Sequence, residues 1–355
     1  MSRKRILFLG ETYRADAITW MNGLQEFGDF EIVTWELQTS SNGVNRINRL
    51  IELINAILTI KSIAKKFNAD MVIAERTTSY GYLAAISGIR PLAIAQQGIT
   101  DLWPTNSPLY VFKKILQDYA FKKADLIHAW GKVMEDHIKD SNVDMNKVMV
   151  LPKGINLDYF EFNDTHDDKI INATVTRSLE PEYRHDLILK AFSIIKKHKI
   201  PFKLTIIGDG IELKKLKSLA KELKIEGEVI FTGRIKNSDI PNFLQKANFY
   251  ISTPITEGVS ASLFEAMACG CFPIVSDLPG NRCWIQQKVN GILVSIKNEF
   301  NLAQELEWAF YNPDFTKKAI TNNRTFVEEN ANYKTNMKKI ANSYHDLITV
   351  KSTYT

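Results

Sequence analysis

The stretch from Phe249 to Ser276 constrains this chain more than any other. Phe249-Tyr-Ile-Ser252 has the apolar character of a strand, residues 259–268 read as a helix stopped by Gly270, and residues 272–275 read as the next strand. Glu257 then falls in a strand-to-helix loop and Glu265 about two turns into the helix. At ~1.5 Å of rise per residue, Glu265 lies roughly 9–10 Å along the axis from Val259. Two acidic acceptors therefore bracket a helix N-terminus. The amides of Gly258, Val259 and Ser260 have no partner within such a helix, and the helix dipole adds partial positive charge, so a phosphate is the natural occupant. A diphosphate between two hydroxyl-bearing groups matches the layout, one acid accepting from each sugar. Two isolated glutamates are ordinarily surface charge. The loop, the helix and the glycine stop together make the difference.

The rest of the chain alternates strand and helix. Strands are expected at residues 6–9, 30–34, 71–75, 92–96, 126–129 and 148–151, with helices at 13–27, 44–67, 79–87, 108–123 and 132–140 between them. Such alternation predicts a doubly wound parallel α/β sheet, with ligands gathering at the carboxyl ends of its strands. The polar run Asn163-Asp-Thr-His-Asp-Asp-Lys169 reads as a linker. Beyond it the alternation repeats: strand 170–176, helix 184–198, strand 203–207, helix 212–223, strand 229–231, helix 238–246, then the opening stretch. A strand at 292–294 and helices at 299–311, 315–329 and 333–347 complete the chain. At 355 residues there is room for two domains, expected at 1–163 and 164–332.

Residues 253–270 closely resemble the signature of retaining GT-B glycosyltransferases of glycosyltransferase family four, in which Glu, seven residues and Glu begin the donor-site helix. The passage Leu151-Pro-Lys-Gly-Ile-Asn-Leu-Asp-Tyr-Phe160 resembles the family's interdomain segment. The resemblance implies two Rossmann-like domains facing across a cleft, an N-terminal domain for the acceptor, a C-terminal domain for a nucleotide-sugar, and a last helix, residues 333–355, crossing back to the first domain. It implies transfer of a sugar with retention from a nucleotide-sugar, expected to be a UDP-sugar, to a saccharide or lipid-linked saccharide in cell-surface polysaccharide or glycolipid synthesis. It implies no protein nucleophile, the departing diphosphate taking the acceptor's proton. A nucleotide-sugar epimerase, a phosphorylase and a non-catalytic nucleotide-sugar-binding subunit stay open as alternatives.

Carried over residue by residue, Glu257 would hold the donor sugar, Gly258, Val259 and Ser260 the phosphate, and Glu265 the ribose. Arg177 ends a strand and enters a loop at the donor edge, where a guanidinium holds phosphate oxygens and offsets leaving-group charge. The family often has a Lys a few residues later; Tyr183 stands there, and Arg184 is the candidate second cation. Gly233, Arg234 and Lys236 are further candidates near the nucleotide. On the acceptor side the candidates are Gly10, which ends the first strand, Gln97, which stands where many relatives carry a His, and Asp101. Gln97 cannot act as a general base near neutral pH. His128 and His185 could approach the sites or sit buried and satisfied.

No Asp-x-Asp pair and no metal-ligand spacing is present, so no metal or other cofactor is expected. Cys269, Cys271 and Cys283 read as structural thiols. A net charge of +5 falls short of a nucleic-acid signature. The N-terminus enters a strand with no leader-like apolar region, and no run of ~18 apolar residues occurs, so the expected localisation is cytoplasmic. Residues 46–66 and 109–123 are apolar and basic, in keeping either with core-facing helices bearing solvated lysines or with weak association at the inner face of a membrane. The sequence leaves the oligomeric state open.

Overall fold

The computed structural model describes residues 3–38, 46–96, 98 and 107–352, with the backbone alone at 46–50 and 351–352. The chain divides into two compact units, Met1–Lys153 with Tyr333–Thr355, and Gly154–Asn332.

In chain order the first unit contains β1 (Arg5–Leu9), α1 (Ala15–Gly28), β2 (Glu31–Trp35), α2 (Arg46–Phe67), β3 (Met71–Glu75), α3 (Tyr82–Ser87), β4 (Leu92–Gln96), α4 (Tyr110–Lys123), β5 (Leu126–Ala129), α5 (Lys132–Lys139) and β6 (Val148–Val150). The strands form one parallel sheet in the order β2-β1-β3-β4-β5-β6. Helices pack on both of its faces, so β1 and β3 are buried along nearly their whole length and read as continuous apolar runs. The helix expected at 79–87 is shorter, because Thr77–Gly81 forms a π-helical turn ahead of α3.

The second unit holds β7 (Ile171–Thr176), α6 (His185–Lys197), β8 (Phe202–Ile207), α7 (Leu213–Glu222), β9 (Val229–Gly233), α8 (Ile240–Leu244), β10 (Phe249–Ser252), α9 (Ala261–Ala268), β11 (Phe272–Ser276), α10 (Pro279–Arg282), β12 (Ile292–Val294), α11 (Glu299–Phe310) and α12 (Pro313–Asn330). Its sheet is again parallel, ordered β12-β11-β10-β7-β8-β9. This is the topology that sends the loops after β7, β8, β9 and β10 to one edge. The boundary between units falls ten residues before the expected one. Residues 154–163 already belong to the second unit: the Ile155 amide donates to Ala331 O at 2.8 Å, Phe160 is buried in a cluster with Tyr250 and Met267, and the Asn163 amide donates to Cys269 O at 3.2 Å. The polar run 163–169 marks where the chain turns outward, after it has docked.

The last helix, α13 (Tyr333–Ser352), returns to the first unit and packs on α1. Met337, Ile340, Ala341 and Tyr344, one side of the helix, are buried. Polar contacts fix its register: Tyr333 Oη donates to Thr19 O at 2.8 Å, and Asn336 Nδ2 to Pro152 O at 2.9 Å. His128, at 0% exposure on β5, lies between the sheet and this helix. Its Nε2 is 2.7 Å from Leu151 O and its Nδ1 3.3 Å from Tyr344 Oη, so the neutral ring donates to the carbonyl and accepts from the phenol. His128 is a satisfied core histidine that tethers α13.

Burial lowers the His128 pKa from 6.5 to about 4, against the smaller pull of the Leu151 carbonyl. Between those values the unfolded chain binds the extra proton, so stability rises with pH. The contribution is complete above about pH 6.5 and is lost as pH falls toward 4, a difference on the order of a few kcal/mol. Urea unfolding followed by tryptophan fluorescence should give a lower midpoint at pH 5 than at pH 7. His128→Gln should lower the midpoint at pH 7 and flatten that dependence. Equal pH slopes in the two proteins would contradict this account.

Candidate active site

The candidate site is built within the second unit around Arg177, the first residue after β7. Its Nη2 donates to Glu257 Oε2 and to Ser260 Oγ, its Nε to Ser252 Oγ at 3.3 Å, and its guanidinium lies 5.4 Å from the centre of the Tyr183 ring. One side chain thus ties the end of β10, the loop after it and the front of α9 to the loop after β7. The ion pair is nearly dry, with 14% and 12% of the Arg177 and Glu257 side chains exposed. Burial works against the arginine's charge, but Glu257, Tyr250 and Tyr183 more than offset it and raise its pKa. The Tyr250 hydroxyl is buried there with no hydrogen-bond partner among the described residues.

The helix begins later than expected. Ser260 has extended backbone (φ −96°, ψ 102°) and serves as N-cap, its Oγ accepting from the Leu263 amide at 3.2 Å. The helix therefore starts at Ala261 rather than Val259, and the Gly258 and Val259 amides lie in the approach to it. Among the described residues, nothing accepts from the amides of Gly258, Val259, Ser260, Ala261 or Ser262. The chain so leaves a run of donors next to a buried cation, at the positive end of a helix. Glu257 keeps Oε1 available, since its one ion pair uses Oε2. Glu265 is half-buried and has its own interactions; it stands three residues beyond Ser262, on the same side of α9.

The loops are locked to each other. The Ile255 amide donates to Glu182 O at 2.9 Å, and Thr253 Oγ1 donates to Tyr183 O at 3.1 Å. Gly208, at φ +148°, passes so close to the loop after β7 that a Cβ there would lie 2.1 Å from Arg177 O. Gly280 sits equally tight, its Cβ position 2.2 Å from Glu257 O, so α10 props the Glu257 loop from behind. A cavity of about 570 Å³ opens at this edge, lined by Arg177, Ser178, Asp209, Arg234 and Ser262 among others.

Of the residues singled out from sequence, Arg177, Glu257 and Ser260 come together, and Arg234 lines the cavity beside them. Gly233 closes β9 at φ +71°, its carbonyl accepting from the Gly208 amide at 3.1 Å. Arg184 does not join the group: its Nε donates to Asp186 at 3.0 Å and Nη1 to Ile296 O at 3.5 Å, because the backbone turns through φ 51° at that residue. Lys236 is exposed. His185 is fully buried, with neither ring nitrogen partnered among the described residues. Burial lowers its pKa to about 4, Arg177 adding to the effect against Glu212 and Asp186. In the first unit Gly10 is buried and its amide donates to Trp35 O at 3.2 Å. Gln97 and Asp101 lie outside the described residues. Among the described residues no three His, Cys, Asp or Glu side chains converge as a metal site would require.

The sequence pattern does not point to the Gly208-Asp-Gly210 turn, to Ser252 or, in the first unit, to the buried Glu75, and it marks Tyr183 only as the residue at a common Lys position. Two glycines flanking an acid at a strand end were a readable signal of backbone crowding. Glu75, 1% exposed at the end of β3, accepts from the Glu11 amide at 3.1 Å; it looks in sequence like any strand-end acid.

The family described as Glycosyl transferases group 1 matches residues 158–326, and Glycosyl transferase 4-like matches residues 5–129. The two matches, one in each unit, together with the relatives below support a group 1 glycosyltransferase with the two-domain GT-B fold. Among curated relatives it is similar to the Campylobacter jejuni N-acetylgalactosamine-N,N'-diacetylbacillosaminyl-diphospho-undecaprenol 4-alpha-N-acetylgalactosaminyltransferase, 26% identical over 81% of this chain and 79% of that protein. It is also similar to the Escherichia coli UDP-Gal:alpha-D-GlcNAc-diphosphoundecaprenol alpha-1,3-galactosyltransferase, 24% identical over 70% and 68%. Among solved structures, Anabaena HepE in complex with UDP superposes with a TM-score of 0.78 at 15% identity, covering 98% of this chain and 100% of that one.

Because a Cβ at position 208 would overlap the Arg177 carbonyl, Gly208→Ala should push the two loops apart. The expected cost is about 1–3 kcal/mol, seen as a lower melting temperature, together with a weakened nucleotide-induced thermal shift. An unchanged melt and shift would show that the crowding is relieved without moving Arg177.

Proposed function

We propose that this glycosyltransferase moves a sugar from a UDP-sugar, with retention and without a metal ion, to a hydroxyl of a saccharide carried on a lipid. The observation that carries the reading is the buried Arg177 held against Glu257 and Ser260, beside five unaccepted amides at the front of α9. In this reading the amides from Gly258 to Ser262 and the Arg177 guanidinium hold the diphosphate. Arg234 meets the nucleotide in the adjoining cavity, Glu265 accepts from the ribose, and Glu257 Oε1 accepts from a donor-sugar hydroxyl. The acceptor site belongs to the first unit, with Gly10 at the end of β1 as its described candidate.

The bond between the anomeric carbon and the β-phosphate oxygen breaks as the acceptor hydroxyl bonds to that carbon on the same face. The acceptor's proton passes to the departing phosphate oxygen, giving the glycoside and UDP. Arg177 and the amides are fixed before the reaction, so they meet the developing negative charge without rearranging. The choice of UDP is supported by the HepE complex, and that of a lipid-linked acceptor by the two undecaprenol-diphosphate transferases among the relatives. The two curated relatives named above are transferases rather than epimerases.

Thermal-shift measurements with UDP-, GDP- and ADP-sugars test the donor class, since a ligand selective for the folded chain raises its melting temperature. A UDP-sugar should give the largest rise, undiminished by a chelator. Arg177→Ala and Glu257→Ala should each lower turnover by about 100-fold or more with the circular-dichroism spectrum retained. Transfer at the wild-type rate by both variants would refute the assignment.

A further inference from the structure

The sheet of the second unit carries a polar patch that the sugar-transfer reading does not use. Side chains alternate along β7 and β8: Ala173, Val175, Leu204 and Ile206 enter the apolar core on one face, so Asn172, Thr174, Lys203 and Thr205 lie on the other. Register sets Asn172 opposite Lys203 and Thr174 opposite Thr205. A parallel sheet covered on both faces is ordinarily apolar along its strands, and here two neighbouring strands break that rule at four facing positions.

Over this patch lies α8, a helix of five residues, and a cavity of about 250 Å³ opens between helix and strands. Thr174 and Thr205 line it at 1% and 6% exposure, and neither hydroxyl has a hydrogen-bond partner among the described residues. Opposed threonines commonly bond each other. Two unspent hydroxyls on the floor of a cavity are instead donors and acceptors set toward whatever enters it. The cavity is distinct from the one beside Arg177: Ile240 of α8 lines that one, whereas Asn242 and Phe243 line this one.

Charge and size set the ligand. Lys203 and Lys246 border the cavity, neither has an ion-pair partner among the described residues, and no acidic side chain lines it. Asn172 Nδ2 donates to Lys246 O and so fixes that backbone beside β7. Two ammonium groups without a neighbouring carboxylate suit an anion, and a phosphate can accept from both. The threonine hydroxyls and the Asn242 amide each donate and accept, which matches hydroxyl groups, while Ile230 and the Phe243 ring supply an apolar wall for the carbon face of a sugar ring. At about 250 Å³ the space falls just below the ~300–1,000 Å³ of common ligand sites, so its occupant is compact. A monosaccharide phosphate combines that charge, those hydroxyls and that size.

We propose that the cavity between β7, β8 and α8 binds a monosaccharide phosphate, with Lys203 and Lys246 on the phosphate and Thr174 and Thr205 on ring hydroxyls. The site rests on neither the donor assignment nor the transfer mechanism. Isothermal titration calorimetry of the full chain with glucose 6-phosphate, fructose 6-phosphate, glucose and inorganic phosphate tests it. At least one of the two sugar phosphates should bind about tenfold or more tightly than either glucose or inorganic phosphate, and its binding should weaken with added salt. Lys203→Ala/Lys246→Ala should lose about tenfold or more of that affinity, and Thr205→Val, which keeps the shape and removes one hydroxyl, about tenfold. Both variants should keep the wild-type melting temperature, because the lysines are exposed and the Thr205 hydroxyl is unpartnered among the described residues. Arg177→Ala, which alters the other cavity, should bind the sugar phosphate as the wild type does. Binding lost in Arg177→Ala and kept in the lysine variant would put the ligand at the front of α9 and overturn the proposal. So would no binding of either sugar phosphate, or an equal affinity for inorganic phosphate, the mark of a simple anion patch.

Discussion

The second unit is organised by one ion pair. Arg177 and Glu257 lie on different loops, 80 residues apart in sequence, and meet almost out of water. A buried pair of charges gains little over an apolar pair once desolvation is counted, so stability alone gives no reason to keep one here. What the pair does supply is position. Arg177 also donates to Ser252 and Ser260, so its placement fixes the end of β10 and the N-cap of α9 together. Ser260 in turn holds the Leu263 amide, which sets where the helix starts and therefore which amides remain unspent.

The sheet explains why such distant residues converge. In a parallel sheet every strand enters its following loop from the same edge, so four successive loops share one rim. The rim is crowded to the point that backbone meets backbone at Gly208 and Gly280. The first unit is built the same way but secured differently, by α13 returning to it and by His128 between sheet and helix. The contrast between His128 and His185 is instructive. Burial depresses both to about pKa 4, yet His128 has a donor and an acceptor in place while both nitrogens of His185 are unmatched among the described residues. The unmatched one borders Arg177. A neutral ring there adds no second positive charge beside the guanidinium, and its cost falls on the same small region whose geometry the ion pair controls.

Much of this was legible in the sequence because it is periodic. Strands such as residues 71–75, 92–96 and 126–129 are short apolar runs bounded by turns, and they fall where the pattern puts them. The placement of Glu257 before a helix and of Glu265 within it was legible because a loop, a helix and a stopping glycine surround them. What escaped is set by geometry that a linear pattern does not carry. Whether Arg184 faces the site or turns away depends on its positive φ and on Asp186 two residues later. Whether α9 starts at 259 or 261 depends on which hydroxyl caps it. The unit boundary was misplaced because composition marks where a chain becomes polar, whereas Ile155 and Phe160 had already joined the second core.

The departures from the family pattern can be reconciled if amides, rather than side-chain charges, are the main means of holding the diphosphate. Tyr183 stands where a lysine is common and packs its ring against the Arg177 guanidinium, and Arg184 is occupied with Asp186. That leaves Arg177, itself paired with Glu257, and the exposed Arg234 as the nearby cations among the described residues. Backbone donors at the front of α9 do not depend on which side chains precede the helix, so long as the approach is open and the cap is short. Gly258 and Ser260 meet those two conditions: the first adds no side chain across the amides, and the second caps with a hydroxyl that satisfies one donor and leaves its neighbours free. On that proposal a lysine lost beside such a helix weakens anion binding by one contact, whereas a displaced Ser260 would spoil the helix start and the seat of Arg177 together.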